Sequence, residues 1–171
     1  MYRVAIGVTL ALLWLGQSAF AELNFCNGSA NVGVRVKVSN APTTTTATTL
    51  SALPGASVSF TVPAGATRRF VVSFSGEARL INNNSTPASN WIELQVWDNG
   101  QPMQPQDATS PLAFAASDVY ESHAATFCRN VTNTTASAVT HTITVQWKVT
   151  GASGLTAWLD DWTLRLDVYN K

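Results

Sequence analysis

The chain carries little charge, and the charges that it has are balanced and dispersed. Charged residues make up 12% of its 171 residues, ten of them basic and ten acidic. The only adjacent like charges are Arg68-Arg69 and Asp160-Asp161, so the sequence has no basic stripe of the kind that binds nucleic acid. It also has no polybasic cluster that would hold it to an anionic membrane. Near-neutral charge is compatible with a homo-oligomer.

Catalytic signatures are also missing. The sequence contains no G-x-S-x-G nucleophile elbow, phosphate-binding loop, dinucleotide fingerprint or metalloprotease helix. Its two histidines are His123 and His141. His141 shares a strand face with apolar residues and is interpreted as a histidine at the rim of the core, whereas His123 lies in a loop and forms no triad with its neighbours. We therefore expect no enzymatic activity, and the alternative is a small hydrolase that uses scattered carboxylates.

Long apolar runs are absent except at the N-terminus. The uncharged run from Val4 to Leu15 is 12 residues long, short of the roughly 20 that span a bilayer as a helix. It follows Met1-Tyr2-Arg3 and precedes Ala19-Phe20-Ala21, which is the pattern of a secretory signal peptide. We predict that residues 1–21 are cleaved and that residues 22–171 form one secreted domain, extracellular or periplasmic, with no membrane insertion after cleavage. An uncleaved membrane anchor is the alternative.

Cysteine is scarce, and the two cysteines, Cys26 and Cys128, stand far apart in sequence. In an exported protein such a pair predicts one disulfide bond. Free thiols or a metal site are the alternatives, and a metal site would need further ligands. The predicted bond would tie the mature N-terminus to a late strand.

The dominant feature of the sequence is an alternation of apolar and polar residues, and no segment has a sustained helical period. Alternation with a period of two is typical of β-strands that have one buried face. The alternating apolar positions are Val32 to Val38, Val58 to Val62, Phe70 to Phe74, Ile92 to Val96, Val139 to Val149 and Trp162 to Val168. Such strands need a second sheet to bury their apolar faces, so we predict an all-β, two-sheet antiparallel β-sandwich of jelly-roll or Greek-key order. A closed β-barrel is the alternative.

Local signals place turns and edges between these strands. Asp98-Asn99-Gly100 predicts a tight hairpin, because Asn-Gly readily adopts positive φ. The Thr-rich segment from Ala41 to Ala52 is interpreted as a loop or an edge strand. Trp147 shares a strand face with Ile143 and Val145, and Trp162 shares one with Leu164 and Leu166. Both tryptophans are therefore predicted to lie in the core.

Four residues of one strand suggest a ligand site. Trp91, Glu93, Gln95 and Trp97 alternate with apolar residues, so they share the face that points away from the core. Two indole rings with a carboxylate and an amide between them could bind a sugar chain, the rings stacking on it and the polar groups bonding its hydroxyls. The two tryptophans would lie about 20 Å apart, at roughly 3.3 Å per residue. The alternative is that both tryptophans cap the rims of the sandwich.

The pair Asp160-Asp161 is a candidate binding site for a calcium ion, since carboxylates are ligands that calcium prefers. The alternative is ordinary turn chemistry, in which an aspartate accepts hydrogen bonds from nearby backbone N–H groups. Apart from calcium, no cofactor is expected.

The C-terminal part of the chain resembles a known class of modules. The strand His141 to Trp147 (HTITVQW), the turn Gly151 to Gly154 and the strand Trp158 to Leu164 (WLDDWTL) are similar to the closing strands of secreted jelly-roll modules. Carbohydrate-binding modules and tumour-necrosis-factor-like or complement-head domains end in this way. The start of the mature chain, Leu23 to Asn27 (LNFCN), is similar to that of small exported bacterial proteins. The resemblance implies a jelly roll and assigns no ligand residue.

Three functions remain open from the sequence. The first is a non-catalytic binding module for a glycan or another cell-surface partner. The second is a self-assembling matrix or fibre subunit, since exposed strand edges invite strand addition. The third is the small carboxylate-dependent hydrolase.

Overall fold

The protein folds into β-strands joined by turns and loops. A computed structural model describes residues 26, 29–83, 89–105 and 112–171, so the predicted signal peptide lies outside the described residues. The described strands are β1 (Asn31–Ser39), β2 (Thr43–Thr45), β3 (Ser51–Val62), β4 (Thr67–Ile81), β5 (Trp91–Asp98), β6 (Gln101–Pro102), β7 (Leu112–Ala115), β8 (Glu121–Thr132), β9 (Val139–Thr150) and β10 (Thr156–Asn170). None of the described residues lies in a helix that could span a membrane.

The strands form two antiparallel sheets. Sheet A has the order β1-β10-β4-β8, and β2 continues the line of β1 along β10. Sheet B has the order β3-β9-β5-β6, and β7 pairs with β5 on the side that β6 occupies. Both sheets are open at their edges, so the predicted β-sandwich is confirmed and the alternative of a closed barrel is wrong.

The strand order is that of a jelly roll. Counting the broken edge strands β1–β2 and β6–β7 once each reduces ten strands to eight, four in each sheet. In that count the chain crosses repeatedly between the sheets, and its first and last strands pair with each other in sheet A. This arrangement is the double Greek key of jelly-roll domains.

The apolar core lies between the two sheets. Trp147, Trp162 and Phe74 are among its largest fully buried side chains, which confirms the predicted core positions of both tryptophans. The predicted hairpin is also present, because Asn99 and Gly100 both adopt positive φ between β5 and β6. The Thr-rich segment forms β2, a short edge strand, as one of its two interpretations predicts.

The buried and exposed faces of strand β1 are the reverse of those that the sequence predicts. Val32, Val34, Val36 and Val38 are 41–67% exposed, so the valines point to solvent and not into the core. The alternate positions face the core instead, since a Cβ on Gly33 would lie 2.6 Å from the Phe60 ring. The prediction that the valines form a buried face is therefore wrong.

Strand β10 also differs from the expectation. Asp160 and Asp161 precede the last alternating run of the sequence, which begins at Trp162, but β10 runs unbroken from Thr156 to Asn170 and contains both aspartates. The pair lies at a bulge, where the register with β4 shifts between Asp160 and Thr163. Two residues on one strand that oppose a single residue bend the strand locally and turn side chains outward.

The predicted disulfide bond joins Cys26 to Cys128, with a Cα–Cα distance of 5.6 Å. Cys128 lies on β8, the edge strand of sheet A, and its backbone also exchanges two hydrogen bonds with Gln104. The bond therefore anchors the segment before β1 to the opposite edge of the same sheet.

Candidate functional site

The face predicted from the sequence lies on β5, in the middle of sheet B. Ile92, Leu94 and Val96 are buried in the core, and the four candidate residues alternate with them. Trp91 and Trp97 are half-buried, whereas Glu93 and Gln95 are 3% and 1% exposed. The two polar residues of the predicted sugar site are thus covered.

The Glu93 carboxylate is already occupied by neighbours on β9. Lys148 Nζ lies 3.1 Å from Glu93 Oε1, and Thr150 Oγ1 donates a hydrogen bond of 3.0 Å to Oε2. Gln95 Oε1 and Trp97 Nε1 are buried and have no hydrogen-bond partner among the described residues. A sugar would therefore have to compete with an ion pair for Glu93, and the role of this face remains a prediction.

A second group of aromatic side chains lies on the outer face of sheet A. Trp158 on β10 is paired with Arg79 on β4, and Tyr120 precedes β8. The Tyr120 and Trp158 rings are 4.8 Å apart between centroids and nearly perpendicular. The Arg79 guanidinium lies 4.2 Å from the Tyr120 ring centroid and 5.7 Å from that of Trp158. We call these three residues the aromatic row.

The aromatic row is held together and is accessible. A guanidinium over an aromatic face is attracted by the quadrupole of the ring, so Arg79 fixes the position of both rings. Tyr120 is 50% exposed, and its neighbour Val119 is 56% exposed. The row therefore offers ring surface to solvent on the outer face of sheet A.

A row of polar residues runs beside it across the same strands. Ser122, Glu77 and Asp160 are cross-strand neighbours on β8, β4 and β10, and cross-strand neighbours share a face. This acidic row lies two residues along the strands from the aromatic row, a distance of about 7 Å. No ion pair between described residues involves the carboxylate of Glu77 or that of Asp160. Both carboxylates can therefore accept hydrogen bonds from a ligand.

The bulge of β10 shapes the surface next to the acidic row. Asp161 has a φ of 44°, and its N–H donates a hydrogen bond of 2.8 Å to Asp160 Oδ1. A Cβ on Gly76 would lie 3.1 Å from Trp162 Cβ, so glycine lets the bulge close against β4. Depressions of about 240 and 340 Å³ lie on either side of Asp161.

The contacts of Asp160 at the bulge are relevant to the calcium site predicted at Asp160 and Asp161. Asp160 acts as an acceptor for backbone N–H, which is the ordinary turn chemistry weighed as the alternative. Among the described residues, no group of three His, Cys, Asp or Glu side chains could hold a metal ion. The described residues thus supply Asp160 and Asp161 with no third carboxylate or imidazole ligand.

A cavity of about 450 Å³ opens between the sheets where β7 meets β8. Glu121 and His123 alternate on β8 and both face it, with Oε2 and Nε2 3.4 Å apart. The His123 ring lies 5.4 Å from the ring of Phe114 on β7. The prediction that His123 lies in a loop is wrong, because β8 begins at Glu121. A spacing of two on a strand places Glu121 and His123 on the same face.

His141 lies at the rim of the core, as its sequence pattern predicts. Its Nδ1 is 2.8 Å from Asp98 Oδ1, and its ring packs edge-on against Phe70. Arg129 reaches the same carboxylate from sheet A, with Nε 3.7 Å from Asp98 Oδ2. Asp98 is 1% exposed, so these contacts link the two sheets at a buried carboxyl group.

Comparisons with protein families and with curated proteins identify no relative of this chain. No protein-family model matches the chain, and the comparison with curated proteins finds no match.

Proposed function

We propose that this protein is a secreted, non-catalytic binding module whose ligand is a glycan lying across the outer face of sheet A. The observation that carries the proposal is the aromatic row beside the acidic row. Aromatic rings stack on the apolar faces of sugar rings, and carboxylates accept hydrogen bonds from sugar hydroxyls. The two rows run in the same direction, so one chain-like ligand can use both.

The charge of this face favours one class of glycan. Glu77 and Asp160 are acidic, and Arg79 is engaged with two aromatic rings. A uronic or sulfated polysaccharide would meet like charge here, at a cost that depends on salt. Neutral or amino-sugar polysaccharides are the expected ligands.

The test is binding of the mature chain, residues 22–171, to a panel of neutral, acidic and amino-sugar polysaccharides. Trp158→Ala and Tyr120→Ala should each weaken binding about tenfold or more, since buried aromatic anchors carry about 2 kcal/mol or more of binding energy. Trp158→Phe, which keeps a ring, should retain most of the affinity. Circular dichroism confirms that the variants fold.

The face of sheet B supplies the matched control. Trp91→Ala and Trp97→Ala remove the same ring type from the other side of the sandwich and should leave binding unchanged. If these two variants lose binding and the sheet A variants keep it, the site predicted from the sequence is the correct one. Full binding by all four variants excludes both faces.

Self-assembly is the second candidate, favoured by the four exposed valines of β1. The strand is an edge of sheet A, and its outer face is apolar. Against this, Arg35 and Lys37 occupy its core-facing positions, and inward charges on an edge strand discourage strand addition. Light scattering over a wide concentration range decides, because a strictly monomeric protein is not a fibre subunit.

A further inference from the structure

The cavity between β7 and β8 is a concave site, and it is separate from the aromatic row. Its apolar wall is made of small side chains and one ring: Ala113, Phe114, Ala115 and Ala116. Its polar lining includes Asp118, Glu121 and His123, and neither Lys nor Arg lines it among the described residues. Apolar walls with a few converging polar groups are typical of small-ligand sites.

The cavity wall is held by hydrogen bonds of its own. Ser117 O accepts a bond of 2.7 Å from the N–H of Leu80, and Ser117 Oγ accepts one from the N–H of Val119. Asn83 Nδ2 donates to Ala116 O at 2.6 Å. The backbone around the cavity is therefore fixed, and the lining groups are positioned without a ligand.

No ion pair with a described Lys or Arg involves the carboxylates at the cavity. His123 Nε2 is buried and has no hydrogen-bond partner among the described residues, and it lies 3.4 Å from Glu121 Oε2 outside hydrogen-bond geometry. The Asp118 carboxylate is exposed and forms no ion pair with a described residue.

We propose that this cavity binds a primary ammonium group attached to a short apolar stem. An ammonium group has three N–H donors and no acceptor, and an ionised carboxylate is an acceptor without a donor. Its positive charge complements Asp118 and Glu121, and its stem contacts the alanine methyl groups and Phe114. A bare metal ion fits poorly because the described residues offer no three-ligand group. The inference does not depend on the glycan site.

The experiment is calorimetric titration of the mature chain at low ionic strength with butylammonium. Butanol is the matched probe without charge, and tetramethylammonium is the probe with charge but no N–H donor. Butylammonium should bind and both controls should bind about tenfold more weakly or not at all, as expected when charge-assisted hydrogen bonds are lost. Equal binding of butanol, or no binding of butylammonium, overturns the proposal.

Isosteric variants locate the site. Glu121→Gln should weaken butylammonium binding about tenfold or more. Glu77→Gln removes the same charge from the outer face of sheet A and should leave this binding unchanged. An equal effect of both variants would mean that the cation responds to overall charge only, which contradicts a site in the cavity.

Two further pairs of probes identify the source of the ammonium group. Glucosamine against glucose tests an amino sugar, and N-α-acetyl-lysine amide against its N-ε-acetylated form tests a lysine side chain. Trp158→Ala should weaken glycan binding at the aromatic row about tenfold or more and leave butylammonium binding intact. Failure of the glycan proposal alone therefore leaves this one standing.

Discussion

Single residues show how burial changes the meaning of a sequence motif. Asn133 begins an Asn-Thr-Thr triplet of the kind that is glycosylated in eukaryotic secretion. In the structure it is buried, and its Nδ2 donates to the carbonyl oxygens of Val62, Pro63 and Ser137. Its Oδ1 accepts from the backbone N–H and the hydroxyl of Thr135. The side chain joins two turns, and its amide is fully used.

Asp167 is the residue whose titration the structure perturbs most clearly. Arg165 bonds it through two nitrogens, at 2.7 and 2.8 Å, and Asn31 adds a third bond. The hydrogen bonds from Arg165 lower the pKa of the Asp167 carboxyl, and they outweigh burial, which raises it. Its ionised form is therefore favoured in the folded protein.

This shift predicts a pH dependence of stability. The folded-state pKa of Asp167 lies below its ordinary pKa. The stabilisation that the ionised Asp167 carboxylate gives to the folded protein is therefore complete above the ordinary pKa, and it is lost as the pH falls through the folded-state pKa. Replacing Asp167 by Asn should lower the free energy of unfolding at neutral pH, and the difference should shrink as the pH falls below the ordinary aspartate pKa of 3.8. Urea unfolding at several pH values measures it. Asp118→Asn is the exposed control, and a gap that stays constant with pH contradicts the assignment.

At the scale of elements, β1 shows why an edge strand can invert its pattern. An inner strand must bury its apolar face, but the core-facing side of an edge strand is close to solvent. Long basic side chains cover the core there with their stems and keep their charges in water. Arg35 does so, because its guanidinium lies 5.5 Å from the Phe60 ring centroid. Gly33 leaves the space that the same ring needs.

Gly33 therefore has a steric role. In Gly33→Ala the new Cβ would lie 2.6 Å from Phe60 Cε2, so the ring or the strand must move. We expect the free energy of unfolding to fall by about 1–3 kcal/mol, as for other overpacked sites. Val36→Ala on the solvent face of the same strand should change it by no more than about 0.5 kcal/mol. Equal effects of the two substitutions in thermal or urea unfolding would show that β1 faces the other way.

At the scale of the whole molecule, the disulfide bond closes most of the chain into one loop. Cys26 and Cys128 are 102 residues apart, and chain entropy for a loop of that length gives about 4–5 kcal/mol of stabilisation as an upper value. Reduction should therefore lower the urea midpoint of the folded domain markedly. The double variant Cys26→Ser, Cys128→Ser should have the midpoint of the reduced protein and should not respond to reductant. A midpoint that ignores reductant in the parent protein contradicts a stabilising bond.

The sequence predicts those features that depend on neighbouring residues. Alternation predicts strands β1, β3, β4, β5 and β9 and the C-terminal half of β10, because a strand exposes its residues in turn to its two faces. The Asn99-Gly100 turn follows from the φ values these residues tolerate, and with only two cysteines one bond is the single intramolecular pairing. The two-sheet sandwich then follows from the need to bury one face of each strand.

The tertiary structure alone decides which residues meet. Tyr120, Arg79 and Trp158 come from three distant segments, and their meeting depends on the order β8-β4-β10 and on its register. The contact between Glu93 on β5 and Lys148 on β9 likewise depends on which strands lie side by side. Glu93 was expected to bind a ligand, and in the structure it forms an ion pair with Lys148. Periodicity places a side chain on one of two faces of its own strand. Which face turns inward, and which strands lie alongside, is decided by packing across the whole sandwich.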